Sequence, residues 1–410
     1  MNSFNAYMGE LMRNILTFID DNGRVHGITA TYWEQRFESP SNIMNAYPLL
    51  LAFCRILKKY PDGELEAVAA KLAEGILKEA RDDGSYGNSF GDIRNTPAPP
   101  IIQIAASIAL LDYAHRDGNR KTLEAVERNC RFIRGNYMKD GLLKNRVVNQ
   151  NAMLLELYFK LRENGMDSGW IDTGKVLSFI LGYFHPRTGG FFHAHHLPDM
   201  LSFYNAKILN ALLTCIENGL QNEETENAVY KNAFFLKGLY SDERRAFAAG
   251  YFPKESFLDK LRKRLRRYNS PAEYFSGLEF FRREKPLFIA RSANSFIPLL
   301  RYASIFKQEV IPEGSILDFF GYHIRKNGSM PNAEGLSRRS GDDWMDLATV
   351  TRWQGYCVLL LSFLSEGSVR PAPGTDDCLV SRGNTVYMEH KRTISYSFGT
   401  DARSLDKWQK

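Results

Sequence analysis

Asp83-Gly84-Ser85-Tyr86-Gly87 closes one apolar, helix-length stretch and precedes the next, Pro99-Pro100-Ile101-Ile102-Gln103-Ile104-Ala105-Ala106-Ser107-Ile108-Ala109-Leu110-Leu111. The phrase is a glycine among polar residues followed closely by an aromatic or aliphatic residue. It returns at Asp21-Asn22-Gly23-Arg24-Val25, Asp140-Gly141-Leu142-Leu143, Thr188-Gly189-Gly190-Phe191-Phe192, Gly250-Tyr251-Phe252 and Asn327-Gly328-Ser329-Met330. Glycines 23, 84, 141, 189, 250 and 328 stand 61, 57, 48, 61 and 78 residues apart. Each interval suits one helical hairpin with its loops, at a rise of about 1.5 Å per helical residue. A lone hairpin cannot bury its apolar face, so neighbouring copies share a core, and six copies close into a ring. The expected fold is all-α, an (α/α)6 toroid of about twelve helices over residues ~15 to 365, with no substantial β-sheet inside that span.

The helices after each phrase begin in polar sequence and then turn apolar on more than one side. They start near Ser41, Pro99, Asn149, Asp199, Ser292 and Asp346. Runs such as Leu49-Leu50-Leu51-Ala52-Phe53 and Val358-Leu359-Leu360-Leu361 suit helices packed all round, and these form the expected inner ring. Glu64 to Ala80 and Lys121 to Tyr137 alternate charge with Leu, Ala and Ile, as a solvent-facing outer ring does.

At 410 residues the chain reads as one toroid domain, 1–370, followed by a tail, 371–410. In the tail, Thr385 to Met388 and Thr393 to Phe398 alternate with a two-residue period and predict a β-hairpin. Cys54, Cys130, Cys215, Cys357 and Cys378 are odd in number and widely spaced, which suggests neither a disulfide framework nor a cysteine zinc site. The N-terminus lacks the pattern of a secretory signal, and no stretch approaches the ~18 consecutive apolar residues of a membrane span. A cytoplasmic protein is expected. Much of the net charge of +6 comes from Lys260 to Arg267 and Arg282 to Lys285. Leu258, Leu261 and Leu265 fall at helical spacing there, which predicts a solvated helix face; with no nucleic-acid module and no interleaved aromatics, nucleic acid is not an expected partner.

Asp83-Gly84-Ser85-Tyr86-Gly87, preceded by Ala73-Glu74-Gly75-Ile76-Leu77, resembles the Gly-aromatic repeat of terpenoid-cyclase and protein-prenyltransferase toroids. The six-hairpin architecture also resembles polysaccharide lyases of the heparinase and alginate-lyase type and several glycoside hydrolases. The resemblance covers residues ~15 to 365 and implies a fold more than an activity. Class II cyclases carry Asp-x-Asp-Asp, whereas Ser340-Gly341-Asp342-Asp343 and Gly374-Thr375-Asp376-Asp377 lack its first carboxylate.

Candidate chemistry lies in the loops that open one end of such a ring. His193, His195 and His196 precede Asp199 and the helix carrying Tyr204, Asn205 and Lys207. Histidine titrates near neutral pH, and a neighbouring tyrosine serves as its acid or base partner. Toroid lyases use such a Tyr/His pair, with Asn and Arg neutralising the uronate carboxylate, and the residues placed for that role are Asn149, Asn205, Arg291, Asn294 and Arg352. A hydrolase instead needs two carboxylates across the bond, available from Asp92, Asp199, Asp342 and Asp343. Trp344, Trp353, Tyr32, Trp33, Tyr86, Phe90, Phe191 and Phe192 are the aromatics available to stack on sugar rings. No cofactor or metal is expected, although Asp342/Asp343/Asp346 and His193/His195 have ligand-type side chains. These readings predict a lyase or hydrolase acting on a small-molecule or oligosaccharide substrate, an acidic one, with a terpenoid cyclase or a non-catalytic glycan- or protein-binding toroid as alternatives.

Overall fold

The computed structural model describes residues 2–26, 29–30, 37–38, 42–87, 97–194, 197–254, 278–335 and 350–368. Among the described residues twelve helices alternate between an outer and an inner layer. The first six are α1 (Asn2–Leu16), α2 (Asn42–Lys59), α3 (Gly63–Leu77), α4 (Pro100–Asp117), α5 (Arg120–Tyr137) and α6 (Val148–Glu163). The remainder are α7 (Thr173–Leu181), α8 (Ser202–Glu217), α9 (Glu223–Leu239), α10 (Ile289–Phe306), α11 (Glu313–His323) and α12 (Thr351–Ser368). The even-numbered helices are inner, and each packs on the next, with α12 returning to α2 to close the ring. At that seam Gly355 lies against Pro48, where an added Cβ would stand 2.7 Å from the proline Cγ. The protein is thus an (α/α)6 toroid.

Burial separates the layers as the apolar patterning requires. Every residue of α4 from Ile102 to Leu111 is buried, while α5 buries mainly a stripe through Thr122, Ala125, Val126, Asn129, Cys130 and Ile133. Outer helices α3, α5, α7 and α9 start on Asp62, Asn119, Asp172 and Asn222, whose side chains accept a main-chain N–H three residues on. Inner helices α4, α6, α8 and α10 start on Pro99, Val147, Leu201 and Phe288, with no such side-chain cap.

The repeat has a shared physical core. Two residues after the glycine, an inner-helix side chain grips the main chain. Gln103 accepts from Tyr86 N–H at 2.8 Å and donates to its carbonyl at 3.0 Å. Asn205 does the same for Phe191 at 2.7 and 3.1 Å, and Gln354 for Met330 at 3.1 and 2.8 Å. Asn151 accepts from Leu143 N–H at 2.9 Å, and Asn45 donates to the Val25 carbonyl at 3.3 Å. The glycine itself takes φ +74° at Gly23, and a Cβ there would fall inside the Lys71 carbonyl of α3, so only glycine fits.

The fifth copy corrects the sequence reading. Its left-handed residue is Arg245 (φ 52°), and two residues later Phe247 N–H donates to Ser292 Oγ at 3.0 Å. Gly250 instead lies in a strand, where it allows close approach to Met200. That strand belongs to a second departure. After the short pairs β1 (Thr29–Ala30) with β2 (Phe37–Glu38) and β3 (Met138–Lys139) with β4 (Leu142–Leu143), five strands form one antiparallel sheet within the span expected to be helical. They are β5 (Met200–Leu201), β6 (Tyr240–Ser241), β7 (Ala246–Pro253), β8 (Phe280–Phe288) and β9 (Ala333–Glu334). The path runs β5-β7-β8-β9, with β6 also paired to β7. Arg282, Arg283 and Lys285 therefore sit on a strand, not on the expected outer helix face, and residues 255–277 lie outside the described residues. The tail expected to hold a hairpin, 371–410, also lies outside them.

Candidate active site at the mouth of the ring

The inner helices point their N-termini at one end of the ring, and the segment from Phe184 to Leu201 brings the first candidate there. Phe184 bridges Phe191, and Ala194 bridges Val147 just before α6. His193 is fixed on both sides of its main chain: its N–H donates to the Asp199 carbonyl at 3.0 Å, and its carbonyl accepts from Val148 N–H at 3.0 Å. Its ring stacks on Tyr204, in the first turn of α8, with centroids 4.2 Å apart and planes 24° from parallel. His193 is buried and Tyr204 half-buried.

From that stack a row of rings crosses the mouth. Tyr204 meets Phe203 at 4.2 Å, and Phe203 meets Trp353, in the first turn of α12, at 6.2 Å. The Arg352 guanidinium lies 4.6 Å from the Trp353 ring centre and is half-buried. Arg291, in the first turn of α10, is only 1% exposed and packs 5.3, 4.6 and 5.0 Å from Phe203, Phe288 and Trp353. Cation–π packing of this kind stabilises a desolvated guanidinium, and Arg291 packs behind the row. Asn294 donates to the Phe203 carbonyl at 3.0 Å and ties α10 to α8.

His193, Tyr204, Asp199, Asn149, Arg291, Asn294 and Arg352 thus gather around the starts of α6, α8, α10 and α12. Asn149 is buried in the first turn of α6, and its Oδ1 makes no hydrogen bond among the described residues. Asn205 does not serve as a substrate contact. Its Oδ1 accepts from Phe191 N–H and from Asn232 Nδ2, and its Nδ2 donates to the Phe191 and Leu201 carbonyls, which exhausts the amide. Tyr86, Phe191 and Phe192, read as sugar-stacking, are core residues at 0 to 1% exposure. Asp92, Asp342, Asp343, Asp346, Trp344, His195, Tyr32, Trp33 and Phe90 lie outside the described residues. Among the described residues no group of three metal-type ligands gathers, and no helix is long and apolar enough to cross a membrane.

A second polar space lies away from this end. A space of about 630 Å³ runs along the axis toward the C-termini of the inner helices. Its lining begins at Tyr47, Lys207, Asn294 and Tyr356, the last three each one turn deeper than Tyr204, Arg291 and Trp353. Inside it Asp112, Lys160 and Glu163 form an ion-paired group at 2.6 and 2.9 Å, and Arg301 binds Glu217 and Asn210, both at 2.5 Å. Glu156 accepts from Asn210 Nδ2 at 3.0 Å, and burial raises its carboxyl above the ordinary value against the pull of Asn210, Lys207 and Arg301. Burial likewise pushes the Tyr47 phenol up. Such a charged lining does not suit an isoprenoid. Asp112, Glu156 and Tyr356 escaped the sequence reading, although Glu156 carried a signal as a carboxylate set within an apolar run, Met153-Leu154-Leu155-Glu156-Leu157.

Neither a family sequence model nor a curated protein sequence matches the chain. Solved structures share its fold at low identity. A D-mannose isomerase superposes with a TM-score of 0.64 at 11% identity, over 88% of this chain and 97% of that one. A family 76 glycoside hydrolase from a bovine Bacteroides thetaiotaomicron strain gives 0.59 at 12%, over 89% and 78%. An unsaturated glucuronyl hydrolase specific for heparin gives 0.56 at 10%, over 89% and 96%.

Proposed function

We propose that this chain is a carbohydrate-active enzyme that removes a proton from a sugar carbon beside a carboxylate or carbonyl, with His193 and Tyr204 as the proton carriers. The observation that carries the reading is the His193–Tyr204 stack, anchored by main-chain bonds and continued by a row of rings to Arg352. A base and an acid held face to face suit abstraction on one atom and return on another, and each such group contributes typically ~10²- to 10⁴-fold. Arg352 is the cation for the charge that grows on the substrate's oxygen as the proton leaves. On a uronate-containing oligosaccharide this chemistry eliminates the glycosidic bond, and on an aldose it isomerises or epimerises the sugar. The fold is shared with enzymes named for sugar isomerisation and glycoside hydrolysis, which supports a sugar as substrate and leaves the reaction to be tested.

Uronate oligosaccharides and free aldoses assayed together separate the outcomes. The expected products are an unsaturated uronate absorbing in the near ultraviolet or a rearranged monosaccharide, and both should fall about 100-fold or more in Tyr204→Phe and His193→Ala. New reducing ends without either product, lost in Asp199→Asn, would replace this reading with two-carboxylate hydrolysis. That alternative is kept because Asp199 shares the His193 loop.

A further inference from the structure

The axial cavity lies one helical turn below the mouth, and only Asn294 of the residues gathered there also lines it. Phe203, Phe288, Arg291 and Trp353 are all nearly fully buried, and none of them lines it. It opens at the far end, where its lining includes the exposed Glu163, Glu217, Ser304 and Glu313. At its floor the Lys207 ammonium, 7% exposed, meets the Tyr356 hydroxyl at 3.2 Å, the Met153 sulfur at 3.9 Å and two tyrosine faces at 5.8 Å. Among the described residues it forms no ion pair with a carboxylate. A structural lysine buried this deeply is normally paired, because an unpaired buried charge is strongly disfavoured. Glu156 faces the same space, bonded to a neutral amide.

We propose that this funnel is a second ligand site, separate from the mouth, for a neutral polyhydroxylated molecule of mono- to disaccharide size. Its volume lies within the range of small-molecule sites, about 300 to 1,000 Å³. The charges nearly balance: Arg55, Lys160, Lys207 and Arg301 face Asp112, Glu156, Glu163, Glu217 and Glu313, and burial drives Glu156 toward its neutral form. Neither an anion nor a cation is favoured by such a lining. A chain of hydroxyls is, since each hydroxyl both donates and accepts and so can span Lys207, Tyr356 and Glu156 at once. Tyr47, Leu51 and Phe363 supply apolar surface for the C–H faces of the same molecule.

Titration calorimetry of the full chain with neutral mono- and disaccharides, a sugar acid and inorganic phosphate tests this. Saturable binding of a neutral sugar is expected in the wild type and in His193→Ala, weakened at least ten-fold in Lys207→Met and in Glu156→Gln. Because Lys207→Met risks misfolding, a rim block provides an independent arm. Ser304→Cys in a Cys378→Ser background should bind as the wild type does, and should lose binding once a bulky maleimide caps the rim. Undiminished binding in the capped protein, preference for phosphate or the sugar acid, parallel loss in His193→Ala, or no neutral sugar bound at all would each overturn the proposal.

Discussion

Asn205 and Gln103 make the same grip in different places, and only one of them supports the loop that carries His193. Replacing either with alanine leaves buried main-chain groups unbonded, at about 1 to 3 kcal/mol for each orphaned group. Urea unfolding should therefore show both Asn205→Ala and Gln103→Ala destabilised by roughly 3 kcal/mol or more. Turnover at a permissive temperature should fall in Asn205→Ala alone, because Phe191 lies two residues from His193. Glu156 gives a prediction of opposite sign. Its folded pKa is raised, so the folded chain binds more protons than the unfolded chain above the ordinary Glu value of ~4.3, and stability declines as pH rises through that window. Glu156→Gln, which keeps the oxygen that accepts from Asn210, should be more stable than the wild type near pH 7.5, with the gap closing toward pH 4.5. A gap of equal size at both values would show that the carboxyl is not strained by burial.

At the scale of elements, the ring depends on how tightly its last inner helix meets its first. Gly355→Val places methyl groups against Pro48, and overpacking of this kind costs about 1 to 3 kcal/mol. Thermal unfolding should show that loss, while Gly238→Ala, with nothing within 4 Å of the added Cβ, should not. The inner helices were legible because apolar residues on every side leave no exposed face, and the glycine phrases because most repeats need a left-handed turn. The fifth phrase was misphased for a physical reason. Arg245 adopts φ 52° itself, so this turn carries no glycine, and Gly250 five residues on has a small size that serves strand packing instead. The sheet stayed hidden because β7, Ala246-Phe247-Ala248-Ala249-Gly250-Tyr251-Phe252-Pro253, is buried on both faces along most of its length and shows no two-residue alternation.

Over the whole molecule, Arg291 and its aromatic neighbours pack one turn above the axial cavity, and the proposed chemistry belongs to the mouth. His193, Tyr204 and Arg352 were legible there by their place in the repeat, since equivalent helix starts converge when a ring closes. Arg291 and Asn205 were not separable from them in sequence: each has the right side chain at the right helix end, and only packing reveals that it faces inward. In the proposed reaction a carbon-bound hydrogen leaves the substrate at this site. The most direct test follows deuterium from C2-labelled aldoses and C5-labelled uronate oligosaccharides into water by NMR. The label should appear in solvent as product forms, with its release slowed about 100-fold or more in Tyr204→Phe. Glycosidic cleavage with the deuterium still on carbon would contradict it.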